Sequence, residues 1–418
     1  MEVYKKIIRQ LHLWLGFASG LVVFVIAITG AILVFESDIK DFFSKKKSES
    51  FDNRSNMPSL STGLQVVLDS LNKHPRQKEI NKQFSYLFID DKGLIGFDFN
   101  WKDSLNENLV TFLANPISNK IEKIYGLEKE TQNESNIDNF FEIILGLHMH
   151  LLIDYNGIGR EIVRWCTLVF FIMVLSGIIL WWPKNKSAAQ QRFWFRWKKN
   201  VRWKRMNYDL HNVLGFYACW IIIFAIITGL IFTFEYIDKG IYYAASGGKS
   251  INEMQIKPTI HSNEVQLLEP NLLDKIFNTV LVESKEKYYS ENGKMISPTI
   301  SMEVNNRINN SPIEVILQEP RGYENTWYWK GRSKVIQEIF QVDRATGAIL
   351  HKNRFQIENL GDFINHNSGA IHFGSIFGWP SKILMLFGCL IAASLPITGF
   401  YIWYGRRKKA NSNSNHIT

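Results

Sequence analysis

The sequence predicts a mainly α-helical membrane protein with four transmembrane helices in two parallel repeats, each with an inserted external α+β domain. Three observations predict this fold class: four long apolar windows, an internal repeat and the positions of the basic residues. The windows run from Leu13 to Phe35, Ile162 to Trp182, Val213 to Phe234 and Ile383 to Tyr404. Each has roughly 20 residues and is nearly free of charge, which is enough to cross a hydrocarbon core of about 30 Å.

The first window is preceded by Lys5, Lys6 and Arg9, as a secretory signal would be. Its apolar run is much longer than that of a signal, and no Ala-x-Ala cleavage site follows Gly30. We therefore expect a retained membrane anchor.

An internal repeat divides the chain into two halves. Residues 11–36 align without a gap to residues 210–235, with 11 identities in 26 positions that include LHxxLGF, ITG and FE. The second and fourth spans agree more loosely, with Ser176, Gly177 and Trp181 against Thr398, Gly399 and Trp403. Apolar bias alone cannot place His, Thr, Gly and Glu in register, so we predict a duplicated unit of span, external domain and span.

The basic residues predict the orientation. They precede the first span, follow the fourth, and number nine, with no acidic residue, between Lys184 and Arg205. Because basic loops stay in the cytoplasm, both termini and the middle loop should be cytoplasmic. Each half then begins and ends inside, so the repeats are parallel. The position of these residues beside the membrane explains them without nucleic acid, and membrane lipid is the expected partner of the spans.

These signals set the predicted boundaries. They are a first span at 11–36, a first external domain at 37–138, a His-bearing helix and second span at 139–182, a basic loop at 183–209, a third span at 210–236, a second external domain at 237–365, a His-bearing segment and fourth span at 366–404, and a cytoplasmic tail at 405–418.

The external segments read as small α+β domains. In the first, Ser61 is the expected cap of an amphipathic helix, YLFID and LIGFDF flank an Asp91-Lys92-Gly93 hairpin turn, and VTFLANPISNKIEKI reads as a strand pair. In the second, LLDKIFNTVL is helical, and PTISMEV, IEVILQ, TWYWKG and IFQVDRATGAILHK are strand-like. DRATG supplies turn residues.

Four of the ten histidines lie at the mouths of spans. His12 and His211 occupy matched positions at the predicted cytoplasmic face, and His148 and His372 precede the second and fourth spans at the other face. His148 is too far from Trp182 for one crossing, so we expect it on a short helix at the external surface. His150 and His366 are alternatives for the external pair, while His74, His261, His351 and His416 read as surface residues.

Axial ligation of haem iron would explain imidazoles in such apolar surroundings, since no Asp, Glu or Cys close in sequence completes a zinc site. Two b-type haems, each between histidines of different helices, would carry electrons. No Cys-x-x-Cys-His occurs, and Cys166, Cys219 and Cys389 all lie in spans. Gly16, Gly30, Gly215 and Gly229 would admit a flat macrocycle, or else allow close helix packing. For any single histidine the alternative is an interfacial residue with no ligand.

The motifs resemble those of the PepSY-associated transmembrane proteins, a family that includes inner-membrane ferri-siderophore reductases. They are LHLWLGF with ITG, GLHMHLL with GIGR, LHNVLGF with ITG, and IHFG with ITGFYIW; QVDRATGAIL resembles the PepSY module itself. The match covers essentially the whole chain. The first external domain departs from it, with NPISNK where a second Asp-x-x-Thr-Gly would stand.

The resemblance implies a di-haem reductase that passes electrons across the inner membrane to a periplasmic ferric siderophore. It makes His12 and His211 the ligands of the cytoplasmic-side haem, and His148 and His372 those of the periplasmic-side haem. No nucleotide-cradling motif follows a strand, so the expected donor is a quinol or a separate cytoplasmic flavoprotein.

The aromatic and cationic stretch from Arg321 to Arg332 is a weaker candidate for chelate binding than for an ordinary strand. Two alternative functions remain, a siderophore or peptide transporter subunit and a non-catalytic PepSY binding or regulatory protein.

Overall fold

The computed structural model describes most of the chain. The described residues are 2–43, 59–74, 78, 80–89, 94–102, 107–125, 136–153, 157–183, 185–195, 201–251, 269–284, 299–304, 312–318 and 335–414. The predicted Asp91-Lys92-Gly93 turn, the TWYWKG strand, the stretch from Arg321 to Arg332, His261 and His416 lie outside them.

Four long helices form a bundle, and the predicted spans are confirmed. They are α1 (Glu2–Leu33), α5 (Ile158–Trp181), α8 (Gly215–Thr233) and α12 (Trp379–Ser414). All four are long and apolar enough to cross a membrane, the third when the helical residues from Trp203 onward are included. Helices α1 and α8 each contact both α5 and α12, so the four close into a ring.

Short helices flank the bundle at both ends. We call the end where α1 begins and α12 finishes the basic end; it carries α6 (Lys186–Arg192), α7 (Trp203–Asp209) and a π-helical turn (Leu210–Leu214) that leads into α8. The opposite end, the sheet end, carries α2 (Glu36–Phe43), α4 (Asn136–His150), α9 (Glu235–Ala245) and α11 (Leu360–His372). The π-helical turn is absent from α1, whose sequence aligns to it without a gap.

The two external segments join in a single antiparallel sheet, where the sequence predicted two separate domains. The first segment supplies β1 (Ile80–Ile89), β2 (Ile95–Lys102), β3 (Glu107–Asn115) and β4 (Lys120–Tyr125), and the second supplies β5 (Thr299–Glu303), β6 (Ile313–Gln318), β7 (Val335–Val342) and β8 (Ile349–Gln356). The strand order is β4-β3-β2-β1-β5-β6-β7-β8. Strands β1 and β5 pair across the boundary, with Leu87 opposite Met302, because both present an apolar residue to the same face there.

Two helices, one from each segment, complete this unit. Helices α3 (Leu60–Lys73) and α10 (Pro270–Glu283) pack against each other, and their apolar sides share one hydrophobic core with alternate residues of the strands. The core includes Phe97 and Phe112 from the first segment and Phe340 from the second. Neither segment therefore has a separate core.

The cap of α3 differs from the prediction. Ser59, not Ser61, is the N-cap, and its hydroxyl accepts a hydrogen bond from the Thr62 amide. Ser61 instead donates its hydroxyl to Asp274 of α10, whose carboxylate also accepts from the amides of Leu60 at 2.7 Å and Ser61 at 3.3 Å. A carboxylate from the other segment thus satisfies the free amides at the start of the helix.

Candidate functional site

The four predicted ligand histidines lie at the two ends of the bundle. His12 of α1 and His211 of the π-helical turn form the basic-end pair. His148 of α4 and His372 of α11 form the sheet-end pair. All four histidines are partly buried.

The sheet-end pair has the spacing that a shared metal requires. The ring centroids of His148 and His372 are 6.2 Å apart, with 70° between the ring planes. A metal–nitrogen bond of about 2 Å, with the nitrogen about 1 Å from the ring centre, places two rings on one metal about 6 Å apart. The structure therefore brings these two predicted ligands together.

The alternative sheet-end ligand His150 lies elsewhere. A Cβ at Gly146 would be 3.5 Å from its Cε1 atom, and its carbonyl oxygen packs against Gly159 at the start of α5. His366 is on α11, six residues before His372. In the described part of the chain, it is the His372 ring that meets His148.

Each basic-end histidine links the two spans of its own half of the bundle. His12 reaches from α1 to Ser176 of α5, and His211 reaches from the π-helical turn to Thr398 of α12. The two rings are near enough to interact electrostatically. The side-chain amide of Asn207 also donates to the Thr398 carbonyl at 3.0 Å, which ties the start of this helix to α12.

Each of the four imidazoles is held by a hydroxyl group on another helix. The Nδ1 atoms of His12 and His211 lie 2.8 Å from Ser176 Oγ and 2.9 Å from Thr398 Oγ1. At the sheet end, the distances are 3.0 Å from His148 Nδ1 to Thr29 Oγ1 and 2.9 Å from His372 Nδ1 to Thr228 Oγ1. The same contact thus occurs four times.

These contacts determine which ring nitrogen carries the proton. At the sheet end, Nδ1 of His148 also lies 3.0 Å from the Ile26 carbonyl, and Nδ1 of His372 lies 3.0 Å from the Ala225 carbonyl. A carbonyl only accepts, so Nδ1 must be the donor and Nε2 keeps a free lone pair. Metal-binding histidines commonly donate their second nitrogen in this way.

The basic-end hydroxyls support the same tautomer. Ser176 donates its proton to the Met173 carbonyl at 3.0 Å, and Thr398 donates to the Ser394 carbonyl at 2.9 Å. Each hydroxyl has a single proton, so its oxygen is left to accept from the histidine Nδ1. All four Nε2 atoms are then available as ligands.

A glycine follows each of these hydroxyl residues and leaves room for the ring. A Cβ placed on the glycine would lie 3.3 to 3.5 Å from Cε1 of the imidazole, for Gly30 with His148, Gly177 with His12, Gly229 with His372 and Gly399 with His211. Gly16 and Gly215, which the sequence grouped with Gly30 and Gly229, face the Met173 and Leu395 side chains instead. Those two serve helix packing.

The sheet-end histidines are presented by helices that stop abruptly. Helix α4 ends at His150, and Leu151 and Leu152 follow in the left-handed region, both with φ of 57°. Helix α11 ends at His372, and Gly374 follows with φ of 68°. Left-handed backbone costs a non-glycine residue roughly 1–2 kcal/mol, so packing holds the turn after α4 in place.

Hydrogen bonds also orient α11. Asn359 and Asp362 form a reciprocal capping box at its start, and Tyr242 of α9 donates its hydroxyl to Asp362 at 2.7 Å.

The surrounding protein removes most of the water from the sheet-end rings. This desolvation, together with the neighbouring His372, lowers the pKa of His148 to about 4, and desolvation also lowers the pKa of His372. Both rings are then neutral near pH 7, as metal ligation requires.

Sequence reasoning identified the histidines but assigned no role to Thr29, Ser176, Thr228 and Thr398. Their signal was present, since each stands before a glycine in the motifs shared by the two halves. In the sequence, the threonines of the first and third spans served only to align the two repeats.

The comparison with protein families agrees with this reading of the spans. The family model described as PepSY-associated TM region matches residues 9–406, which is nearly the whole chain. The search of curated proteins found no match.

Proposed function

Because the chain belongs to the PepSY-associated transmembrane family, we propose that it is a di-haem b oxidoreductase that reduces ferric siderophores. The proposal combines the resemblance with one observation. Four imidazoles lie in two pairs, one at each end of a membrane-spanning bundle, with Nδ1 held by a hydroxyl and Nε2 available.

The donor set fits haem b. His148 and His372 stand at a separation at which both could hold one iron, and a Cβ on the glycine beside either ring would crowd that ring. Haem b, when bound, would supply a one-electron carrier. The protein would orient the four histidine rings so that each Nε2 can bind iron, keep the ring proton on Nδ1, and exclude water.

The two pairs are separated along the membrane normal. His12 and Thr29, which mark the two pairs on α1, are 17 residues apart. At 1.5 Å per residue this is about 25 Å, most of the hydrocarbon thickness. Residues between them, such as Ala27, Val174, Ile222 and Ala392, form an apolar core with no charged member.

The proposed location is the bacterial inner membrane, with the basic end in the cytoplasm and the sheet in the periplasm. The basic flanks of α1, α8 and α12 support this orientation. The equivalent histidine–hydroxyl contacts in the two halves support two parallel repeats.

The proposed substrate is a ferric siderophore that binds near the sheet-end pair, and the proposed donor is a quinol or a separate cytoplasmic flavoprotein. The sheet-end pair contacts Thr29 and Thr228, about one turn before α1 and α8 end, on the side of the bundle that a periplasmic chelate would approach. Reduction of Fe(III) to Fe(II) weakens its bonds to the hard oxygen donors of the chelate, and the iron can then leave.

A visible absorption spectrum of the purified protein tests this function. We expect a b-type spectrum that sharpens on reduction with dithionite and reverts when a ferric chelate is added. His12→Ala or His211→Ala should remove about half of the haem, and His148→Ala or His372→Ala about the other half, because each pair holds one group.

His351→Ala is the matched control, since this histidine lies in β8, and it should retain both haems. A colourless wild-type protein from haem-replete cells would refute the proposal in favour of a transporter or a regulatory protein. Full haem content in all four single variants would refute the ligand assignment.

A further inference from the structure

Four hydroxyl side chains recur in the same role, although they are far apart in sequence. Thr29 and Thr228 contact the sheet-end imidazoles, and Ser176 and Thr398 contact the basic-end imidazoles, all within 3.0 Å of Nδ1. Each hydroxyl donates its own proton to a carbonyl one turn earlier in its helix, such as Val25 for Thr29 at 2.8 Å. Its oxygen is thereby directed at the histidine as an acceptor.

From this geometry we propose that Thr29, Ser176, Thr228 and Thr398 are positioning residues that tune the reduction potential of the haems. The inference rests on the proposed function, since it presupposes that haem is bound. An acceptor on Nδ1–H draws the proton away from the ring and makes Nε2 a stronger donor. A stronger donor stabilises Fe(III) relative to Fe(II) and lowers the potential.

Each imidazole keeps a backbone acceptor when the hydroxyl is removed. At the sheet end, the carbonyls of Ile26 and Ala225 lie 3.0 Å from Nδ1, so each ring keeps a second acceptor. At the basic end, the equivalent carbonyls of Met173 and Leu395 are backbone acceptors for His12 and His211, beside the hydroxyls at 2.8 and 2.9 Å. Loss of the hydroxyl should therefore weaken, without abolishing, the hydrogen bond to Nδ1 at both ends.

The test is a potentiometric titration of the purified full-length protein, followed by visible absorption and by low-spin ferric electron paramagnetic resonance. Thr398→Val and Ser176→Ala should each shift the equilibrium of one haem towards the reduced form by roughly tenfold, which corresponds to about 59 mV for one electron. Thr29→Val and Thr228→Val should shift the other haem in the same direction by a similar factor. The resonance signal should change for the same haem whose potential moves.

Conservative variants separate tuning from packing. Thr398→Ser, Thr228→Ser and Ser176→Thr keep the hydroxyl and should keep the wild-type potentials. If Thr398→Val loses one haem while Thr398→Ser retains it with an unchanged potential, the hydroxyl is needed to orient His211, which supports the proposal. If the Ser and Val variants behave alike, whether both lose haem or both keep wild-type potentials, the proposal is overturned.

Failure of the tuning role is distinguishable from failure of the proposed function. A haem-loaded protein that is reoxidised by ferric chelate, but whose hydroxyl variants have unshifted potentials, refutes only the tuning role. A colourless wild-type protein refutes the function itself.

Discussion

Gly30 and Gly229 show how single residues prepare the sheet-end site. Each follows a threonine that accepts from a histidine Nδ1, and each lies against the edge of that same ring. A side chain added here would meet Cε1 of the imidazole at 3.3 Å for Gly30 and 3.4 Å for Gly229, close to the contact limit. The pair of threonine and glycine therefore acts as one local unit, one residue holding the ring and the other giving it room.

Gly229→Val should displace the His372 ring and lower the haem content by about half. A Cβ alone would already lie 3.4 Å from Cε1 of His372, and the two methyl groups of valine extend further. The His372 ring must therefore move away from its partner His148. The measurement is the haem-to-protein ratio of the purified variant, together with its reduced spectrum.

Gly240→Val is the matched control, since a Cβ on this glycine of α9 meets nothing within 4 Å. Both changes replace a helical glycine by valine, so they alter helix propensity alike. Equal haem loss in the two variants would show that crowding of His372 is not the cause.

The secondary-structure elements of the external segments depend on one another. Helix α3 has its first amides satisfied by Asp274 of α10, and β1 pairs with β5 from the other segment. The residues that stabilise the first segment are therefore partly supplied by the second, about 200 positions away. This arrangement predicts that the eight strands unfold together.

Asp274→Ala should lower the free energy of unfolding of the sheet unit by about 2 kcal/mol. It removes a charge-assisted cap and leaves the Leu60 and Ser61 amides without this acceptor. Pulse proteolysis of the full-length protein in urea measures this change, with cleavage followed in both segments.

Thr279→Ala on the same helix is the control, because this exposed hydroxyl bonds only its own helix at Lys275 among the described residues. Cleavage of the first segment alone, with the second still protected, would contradict cooperative unfolding of the sheet.

At the scale of the whole molecule, charge and ion pairing distinguish the two ends. Basic residues gather where α1 begins, between α5 and α8, and where α12 ends. At the sheet end, the Lys382 ammonium of α12 is buried and lies 2.6 Å from Asp38 of α2, which links α2 to the fourth span. An ion pair this well buried is held by its partner, since either charge alone would be costly there.

Cysteine labelling in intact cells tests the proposed orientation. Ser118→Cys, in the exposed turn between β3 and β4, should react with a membrane-impermeant maleimide from the periplasm. Ser187→Cys, exposed on α6 at the basic end, should react only after the inner membrane is permeabilised. Neither site needs the haem, so the result is independent of the cofactor.

The native chain provides the background control, because its cysteines lie in α5, α8 and α12 and are half-buried or buried. Labelling of Ser187→Cys but not Ser118→Cys in intact cells would reverse the orientation and place the proposed chelate site in the cytoplasm.

Most local elements could be predicted from the sequence. The four spans, the amphipathic helices and the strands of the hairpins depend on composition and period within one stretch of chain. The turn between Asp343 and Gly347 is likewise local, since the Asp343 carboxylate accepts from Thr346 and glycine occupies the left-handed position at φ of 72°. Ser61 was predicted as the N-cap of α3, two residues after the actual N-cap Ser59. The sequence could not show that Asp274 of another helix accepts from the first amides of α3.

By itself, the sequence determined that the chain spans a membrane four times, that its halves repeat a motif, and which histidines stand at the mouths of the spans. Apolar length, register and spacing are properties of the chain before it folds. Only the tertiary structure decided that the two external segments share one sheet, that the His148 ring faces His372, and that four hydroxyls hold the imidazoles. Those contacts join residues more than 100 positions apart, and helix and strand packing alone determines which of them meet.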